Sequence, residues 1–177
     1  MEDFYSYLIK TNKHCVKEIK CSDINKMKCV VIFGTRFYDL TRYMIKLARK
    51  DNNTKIILVA KEYMYQELRN DIFEYDEVII ENNNYSYDIV DKIIKTNKLS
   101  NIDGVMFYTL QKHDLGNLNI LSIAHRICQN IKVYGINKDK ELYEYTNLDF
   151  YLLGLKLYLK IDEYIEKSLD IILEDNK

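Results

Sequence analysis

The chain has no proline and only five glycines among its 177 residues, so it contains no Pro-, Gly- or Ser-rich linker at which it would divide. One domain over residues 1–177 is therefore expected, long enough to bury a sizeable core without disulfides or metals. An excess of one charge is also missing. The 26 Lys and Arg are matched by 27 Asp and Glu, a formal net charge of -1, and without a global basic field nucleic acid is not an expected partner. No apolar run approaches the ~20 residues that cross a bilayer, so no membrane span is expected. The opening residues, MEDFYSYLIKTNKH, put acids first and lack an apolar stretch leading to a small-residue cleavage site. They do not read as a secretory signal, and the expected compartment is the cytoplasm.

Several chemistries are excluded in the same way. Cys15, Cys21, Cys29 and Cys128 show no C-x-x-C spacing and read as reduced, structural thiols. His14, His113 and His125 share no metal-ligand spacing, and no G-x-S-x-G nucleophile elbow is present, so neither a metal nor a cofactor is expected.

What is present is an alternation. From residue 28 onward, short β-branched runs alternate with stretches of helical period, the pattern of parallel strands joined by crossover helices. Strands are expected at 28–33, 55–60, 76–81, 102–109 and 131–136, with helices at about 39–50, 62–71, 87–97 and 118–129. Together they predict an α/β fold, a single doubly wound, mainly parallel five-stranded sheet of the Rossmann-like kind, with its core at about 28–137. An N-terminal helix is expected over 2–20 and a long C-terminal helix over 147–174. In the latter, Leu148, Leu152, Leu155, Leu159 and Leu169 form one stripe, while Phe150, Leu153, Leu157, Ile161 and Tyr164 fall on other faces. A helix apolar on more than one side calls for more than one neighbour, so it is a candidate for pairing with a second subunit.

In an open parallel sheet, ligands sit outside the carboxyl ends of the strands. The loops to inspect are 34–39, 60–63, 81–86 and 109–117. The first, in VVIFGTRFYDLTRYM, has one glycine, Gly34, beside bulky Phe37 and Tyr38, which does not match a dinucleotide fingerprint, a P-loop or a flavodoxin-type phosphate loop. A two-component receiver site is excluded as well, because the third strand ends in Glu81 without the Asp it needs. Asp39 lies in the first helical turn, where free amides and the helix dipole favour a carboxylate by ~0.3–1 kcal/mol. Turned toward the crevice instead, it would be the candidate general base. Arg36 can bind an anion or pair with Asp39, and Thr35 offers a hydroxyl. In the KHDLG loop, a neutral His113 can bind a ligand or relay a proton, next to Asp114.

The segment KCVVIFGTRFYDLTRYMIKLARKDNNTKIILVAKEYMYQELRNDIFEYDEVII, followed by IDGVMFYTLQKHDLGNLNILSIAHRI and IKVYGI, resembles the acceptor-side half of bacterial heptosyltransferases and related GT-B glycosyltransferases. Those enzymes begin with a Lys-led hydrophobic strand and a short loop whose Gly-Asp pair opens the first helix. The resemblance covers about residues 28–137 and sets Asp39 where the family has the aspartate that deprotonates the acceptor hydroxyl. Gly34, Thr35, Arg36, His113 and Asp114 would then line the crevice that binds a sugar or nucleotide-sugar-related ligand. Two departures stand out. Tyr38 occupies the family's glycine position, and this chain has the length of one Rossmann-like half where a GT-B enzyme has two. The resemblance therefore implies a glycosyltransferase-like half-domain that binds a sugar or nucleotide-sugar-related ligand, or acts with a partner chain or dimer mate in place of the donor-binding half. The other reading open at this point is a non-catalytic binding or scaffold protein of the same fold, dimerising through residues 147–174.

Overall fold

The computed structural model describes residues 2–49, 53–70, 76–83, 88–97, 102–127 and 130–160. Seven strands form one sheet: β1 (Val16–Ile19), β2 (Cys29–Phe33), β3 (Lys55–Ala60), β4 (Glu77–Ile80), β5 (Gly104–Tyr108), β6 (Lys132–Ile136) and β7 (Leu142–Tyr145). Their order is β1-β7-β6-β5-β2-β3-β4. The five inner-sequence strands, β2 to β6, are mutually parallel, and β7 and β1 add an antiparallel edge.

The helices are α1 (Phe4–Asn12), α2 (Tyr38–Ala48), α3 (Glu62–Leu68), α4 (Asp88–Asn97) and α5 (Leu118–Ile127), with a further helix, α6, over 148–160. Period-2 alternation in β2 explains the layering. Val30 and Ile32 point to the face covered by Leu40, Met44 and Ile45 of α2 and Met64 of α3. Val31 and Phe33 point to the opposite face, among Ile89 and Ile93 of α4, Leu121 and Ala124 of α5, and Leu152 of α6. All five residues of β2 are buried, as a central strand covered on both faces must be.

The mainly parallel α/β class is therefore present, with seven strands where five were expected. Both additional strands come from the flanks. The expected helix over 2–20 ends at Asn12, where the Cys15 amide closes a turn onto the Asn12 carbonyl at 2.8 Å, and Val16–Ile19 becomes a strand instead. Val16 is inside and the charged Lys17 and Glu18 are outside, as the outermost strand of a sheet allows. The partner is β7, which pairs Leu142 with Ile19 and Tyr145 with Val16. A tight turn makes β7 possible: the Asn137 side-chain oxygen accepts from the amides of Asp139 and Glu141 at 3.0 and 2.9 Å, and Lys140 takes a left-handed φ of 63°.

Residues 4–19 and 142–160 therefore build one unit. Phe4 and Tyr7 of α1 pack against Tyr158 of α6, with ring centroids 4.7 and 5.3 Å apart. At the crossing, Gly154 leaves room for the fully buried Asn12, whose Nδ2 would lie 2.6 Å from a Cβ at that glycine. In α6, Tyr151, Leu152 and Leu155 are buried, whereas Leu159 is exposed and does not continue the expected stripe. Residues 161–174 of the expected helix, with Ile161, Tyr164 and Leu169, lie outside the described residues, as does Cys128. No described helix is long and apolar enough to cross a membrane.

Candidate functional site

The strand order places a topological switch between β2 and β5. From β2 the chain runs through α2 on one face to β3, while α5 follows β5 on the other face, so the two loops part above the carboxyl ends of the strands. An open crevice of about 500 Å³ lies there.

Its first wall is the turn after β2. Gly34 donates to the Val59 carbonyl at 2.7 Å, and a Cβ at this glycine would approach that oxygen to 3.2 Å, so the backbone runs close against β3. Two threonines then fix the turn. The Thr35 amide donates to Thr41 Oγ1 at 3.1 Å, and the Phe37 amide donates to Thr35 Oγ1 at 3.4 Å. These hydroxyls hold the entry to α2, which has no side-chain cap at Phe37. Phe37 meets Tyr108 edge-to-face at 5.2 Å, with the Arg36 guanidinium 5.3 Å and the Lys138 ammonium 4.4 Å from its ring centre.

Lys61, Tyr63 and Met64, after β3, form the second wall. The third comes from the loop after β5 and the first turn of α5, through Gly116, Asn117, Asn119 and Ile120. Asp114 organises this loop without lining the crevice: its carboxylate accepts from the amides of Leu110 and Gly116 at 3.0 and 2.9 Å and from Asn117 Nδ2 at 3.2 Å. Among the lining residues, Arg36 and Lys61 are cationic and none is a carboxylate. The nearby acid at the end of β4, Glu81, is engaged by Lys92 at 2.6 Å, and that ammonium together with the Asn83 amide holds its carboxyl below the usual range.

The structure divides the six residues singled out from the sequence. Gly34, Thr35 and Arg36 lie together in the crevice, and Asp114 supports its wall. Asp39 sits elsewhere, with a fully exposed carboxylate that pairs with Arg42 at 3.1 Å and borders an outer groove of about 340 Å³ with Phe37, Lys138 and Lys140. His113 faces a different groove, bounded by α1. Its ring is buried and stacks on Tyr151 at 6.1 Å, and burial, with Lys112 nearby, pulls its pKa below the ordinary 6.5. No cluster of three or more His, Cys, Asp and Glu suited to a metal occurs among the described residues.

Residues the sequence reading passed over are Lys61, Tyr63, Tyr108, Asn117, Asn119 and Lys138. Lys61 and Asn117 fall within the strand-end loops, where position alone is the signal. Lys138 had none, because its place depends on the unexpected β6–β7 turn.

No protein-family model matches the chain, and a search of curated proteins finds no match. Among solved structures, the chain is similar to one described as the crystal structure of AibC, at 14% identity and a TM-score of 0.40. The alignment covers 85% of this chain and 45% of that one, so the chain spans less than half the length of that protein. A likeness of that degree adds nothing to the strand order above.

Proposed function

We propose that the protein binds a small anionic ligand bearing a ring in the crevice between β2 and β5, a sugar phosphate or a nucleotide-sugar-related molecule. The observation that carries this reading is the lining: Arg36 and Lys61 with no carboxylate among the crevice residues, beside the rings of Phe37, Tyr63 and Tyr108 and the amides of Asn117 and Asn119. Cations suit phosphate, aromatic faces suit a base or the apolar face of a sugar, and amides fix hydroxyls. The resemblance to the acceptor half of GT-B glycosyltransferases favours the same ligand class. In that reading a partner chain supplies the donor-binding half, and Asp39 acts as base only on an acceptor hydroxyl seated in the outer groove beside Lys138 and Lys140. Replacement of Asp39 by Asn in the reconstituted pair tests this role, and unchanged transfer removes it.

The binding claim is tested by thermal shift with uridine diphosphate, UDP-glucose and glucose 6-phosphate. A ligand at 100 times its dissociation constant stabilises by ~2.7 kcal/mol, and Arg36→Glu or Lys61→Glu abolishes that gain. A flat response to all three, or a shift unaffected by both variants, overturns the reading.

A second reading, a scaffold that dimerises through its C-terminal helix, rests on Phe150, Leu153 and Leu157. They are 55%, 52% and 48% exposed at i, i+3 and i+7, hence one apolar ridge of α6. Sedimentation distinguishes it: a dimer that Leu153→Glu and Leu157→Glu convert to monomer supports it, and a wild-type monomer ends it.

A further inference from the structure

A second concavity lies on the far side of the loop after β5. It is a groove of about 530 Å³, separate from the crevice and within the range of small-molecule sites. One bank is α1, which presents Tyr5 and Ile9 one turn apart, and its C-cap, Lys13. Both Tyr5 and Ile9 are exposed, an unusual disposition for two large side chains on the same ridge of a packed helix. The opposite bank is Gln111, Lys112 and His113, and the ring of Tyr143 from β7 also borders it. Gln111 reaches across the groove to donate to the Tyr5 hydroxyl, so the banks are held in register.

The charge of the groove is one-sided. Lys13 and Lys112 line it, and no carboxylate does. Two acids nearby are already occupied by donors: Glu141 accepts from Asn137 Nδ2 at 2.6 Å and from the Tyr143 hydroxyl at 2.8 Å, and Asp114 holds its three loop partners.

His113 supplies the second, independent feature. It is 95% buried, and its Nδ1 is shut away with no hydrogen-bond partner among the described residues. A proton on Nδ1 would be a buried donor without an acceptor, so the favoured neutral tautomer carries it on Nε2, the nitrogen left to the groove. The groove thus offers two ammonium groups and an imidazole N–H, framed by tyrosine rings and Ile9. Donors on both banks, set among apolar and aromatic walls, complement an anion with a flat hydrocarbon body.

We infer that the α1 groove is a second ligand site, for an aromatic carboxylate, with Lys13 and Lys112 neutralising the carboxylate, His113 donating to it, and Tyr5, Ile9 and Tyr143 enclosing the ring. The site stands independently of the crevice and of its proposed ligand.

Calorimetric titration of the full chain with 2-naphthoate tests it, with neutral 2-naphthylmethanol as the companion probe. The expected result is saturable one-to-one binding of 2-naphthoate, weakened about tenfold or more in the doubly substituted Lys13→Glu, Lys112→Glu protein, and at least tenfold weaker binding of the alcohol. His113→Phe keeps the ring stack on Tyr151 and loses the donor, so it also weakens 2-naphthoate. Lys138→Glu with Lys140→Glu makes the same change of net charge elsewhere and leaves the affinity unaltered, as does Arg36→Glu. Absence of binding at millimolar 2-naphthoate overturns the inference. So do equal affinity for the alcohol, an unaltered affinity in the Lys13, Lys112 variant, and a loss caused by Arg36→Glu, which would move the probe to the crevice.

Discussion

The parallel unit and the terminal unit of this sheet solve the same problem in opposite ways. In the parallel unit, β2 is buried along its whole length, bonded on both edges, and covered by helices on both faces. The terminal unit, made of α1, β1, β7 and α6, is an antiparallel margin whose outermost strand, β1, buries Val16 and exposes Lys17 and Glu18. It also keeps two buried polar side chains, Asn12 and His113 beside it, with atoms that find no partner among the described residues. A buried polar group without a hydrogen bond costs about 1–3 kcal/mol, so the terminal unit holds features that packing alone does not favour. On burial alone, the first unit is expected to carry the larger share of the stability. The second carries the groove beside α1, the place of the second proposed ligand site.

That contrast can be broken most forcefully at its centre. Phe33, 1% exposed at the end of β2, is expected to cost about 3–5 kcal/mol when changed to alanine, measured by urea unfolding. A loss below ~1 kcal/mol would show that the parallel unit does not dominate stability. Asp103 comes next. Its carboxylate accepts from the Lys28 amide at 2.8 Å and the Cys29 amide at 3.0 Å, tying the starts of β2 and β5 together. Asp103→Ala should cost about 1–3 kcal/mol and speed hydrogen exchange at those two amides.

In the margin the effects are smaller and of different character. Burial holds the folded pKa of His113 below its ordinary value of 6.5, so below about pH 6.5 the unfolded chain binds a proton that the folded chain resists. The contribution of His113 to stability is thus complete above that pH and is lost as pH falls toward the lowered value. Unfolding at pH 7.5 and 5.5 should show a smaller drop for His113→Phe than for the wild type. An equal drop would mean that the imidazole is solvated in the folded state. Smallest of all, the half-buried Glu144 faces the exposed Lys17 at 3.9 Å and Lys132 at 3.4 Å, and Glu144→Gln, which keeps the side chain's shape, should change stability by less than ~1 kcal/mol.

The parallel strands were legible because each is a short, nearly continuous apolar run between turn formers, and such runs hardly depend on their neighbours. KIILVA was expected at 55–60 and forms β3 over Lys55–Ala60. VKEI and LYEY were not legible, since four half-polar residues are equally good as a helix turn or a strand until a sheet edge is offered. The candidate site divides along the same line. Gly34, Thr35 and Arg36 follow directly from the strand-end rule. His113 also lies in a strand-end loop, but which side of that loop it faces depends on α1, whose ending at Asn12 the sequence did not reveal.

Residue order alone therefore determined the α/β rhythm, the central strand and the turn after it, because hydrophobic period and local turn chemistry act over a few residues. Only the tertiary structure decided that Val16–Ile19 and Leu142–Tyr145 meet as β1 and β7, that Asp39 stands outside the crevice, and that His113 is buried against Tyr151. Those outcomes depend on contacts between residues far apart in the chain. His113 and Tyr151 are two such residues, and their encounter is set by the packing of whole helices on the sheet and not by any local preference.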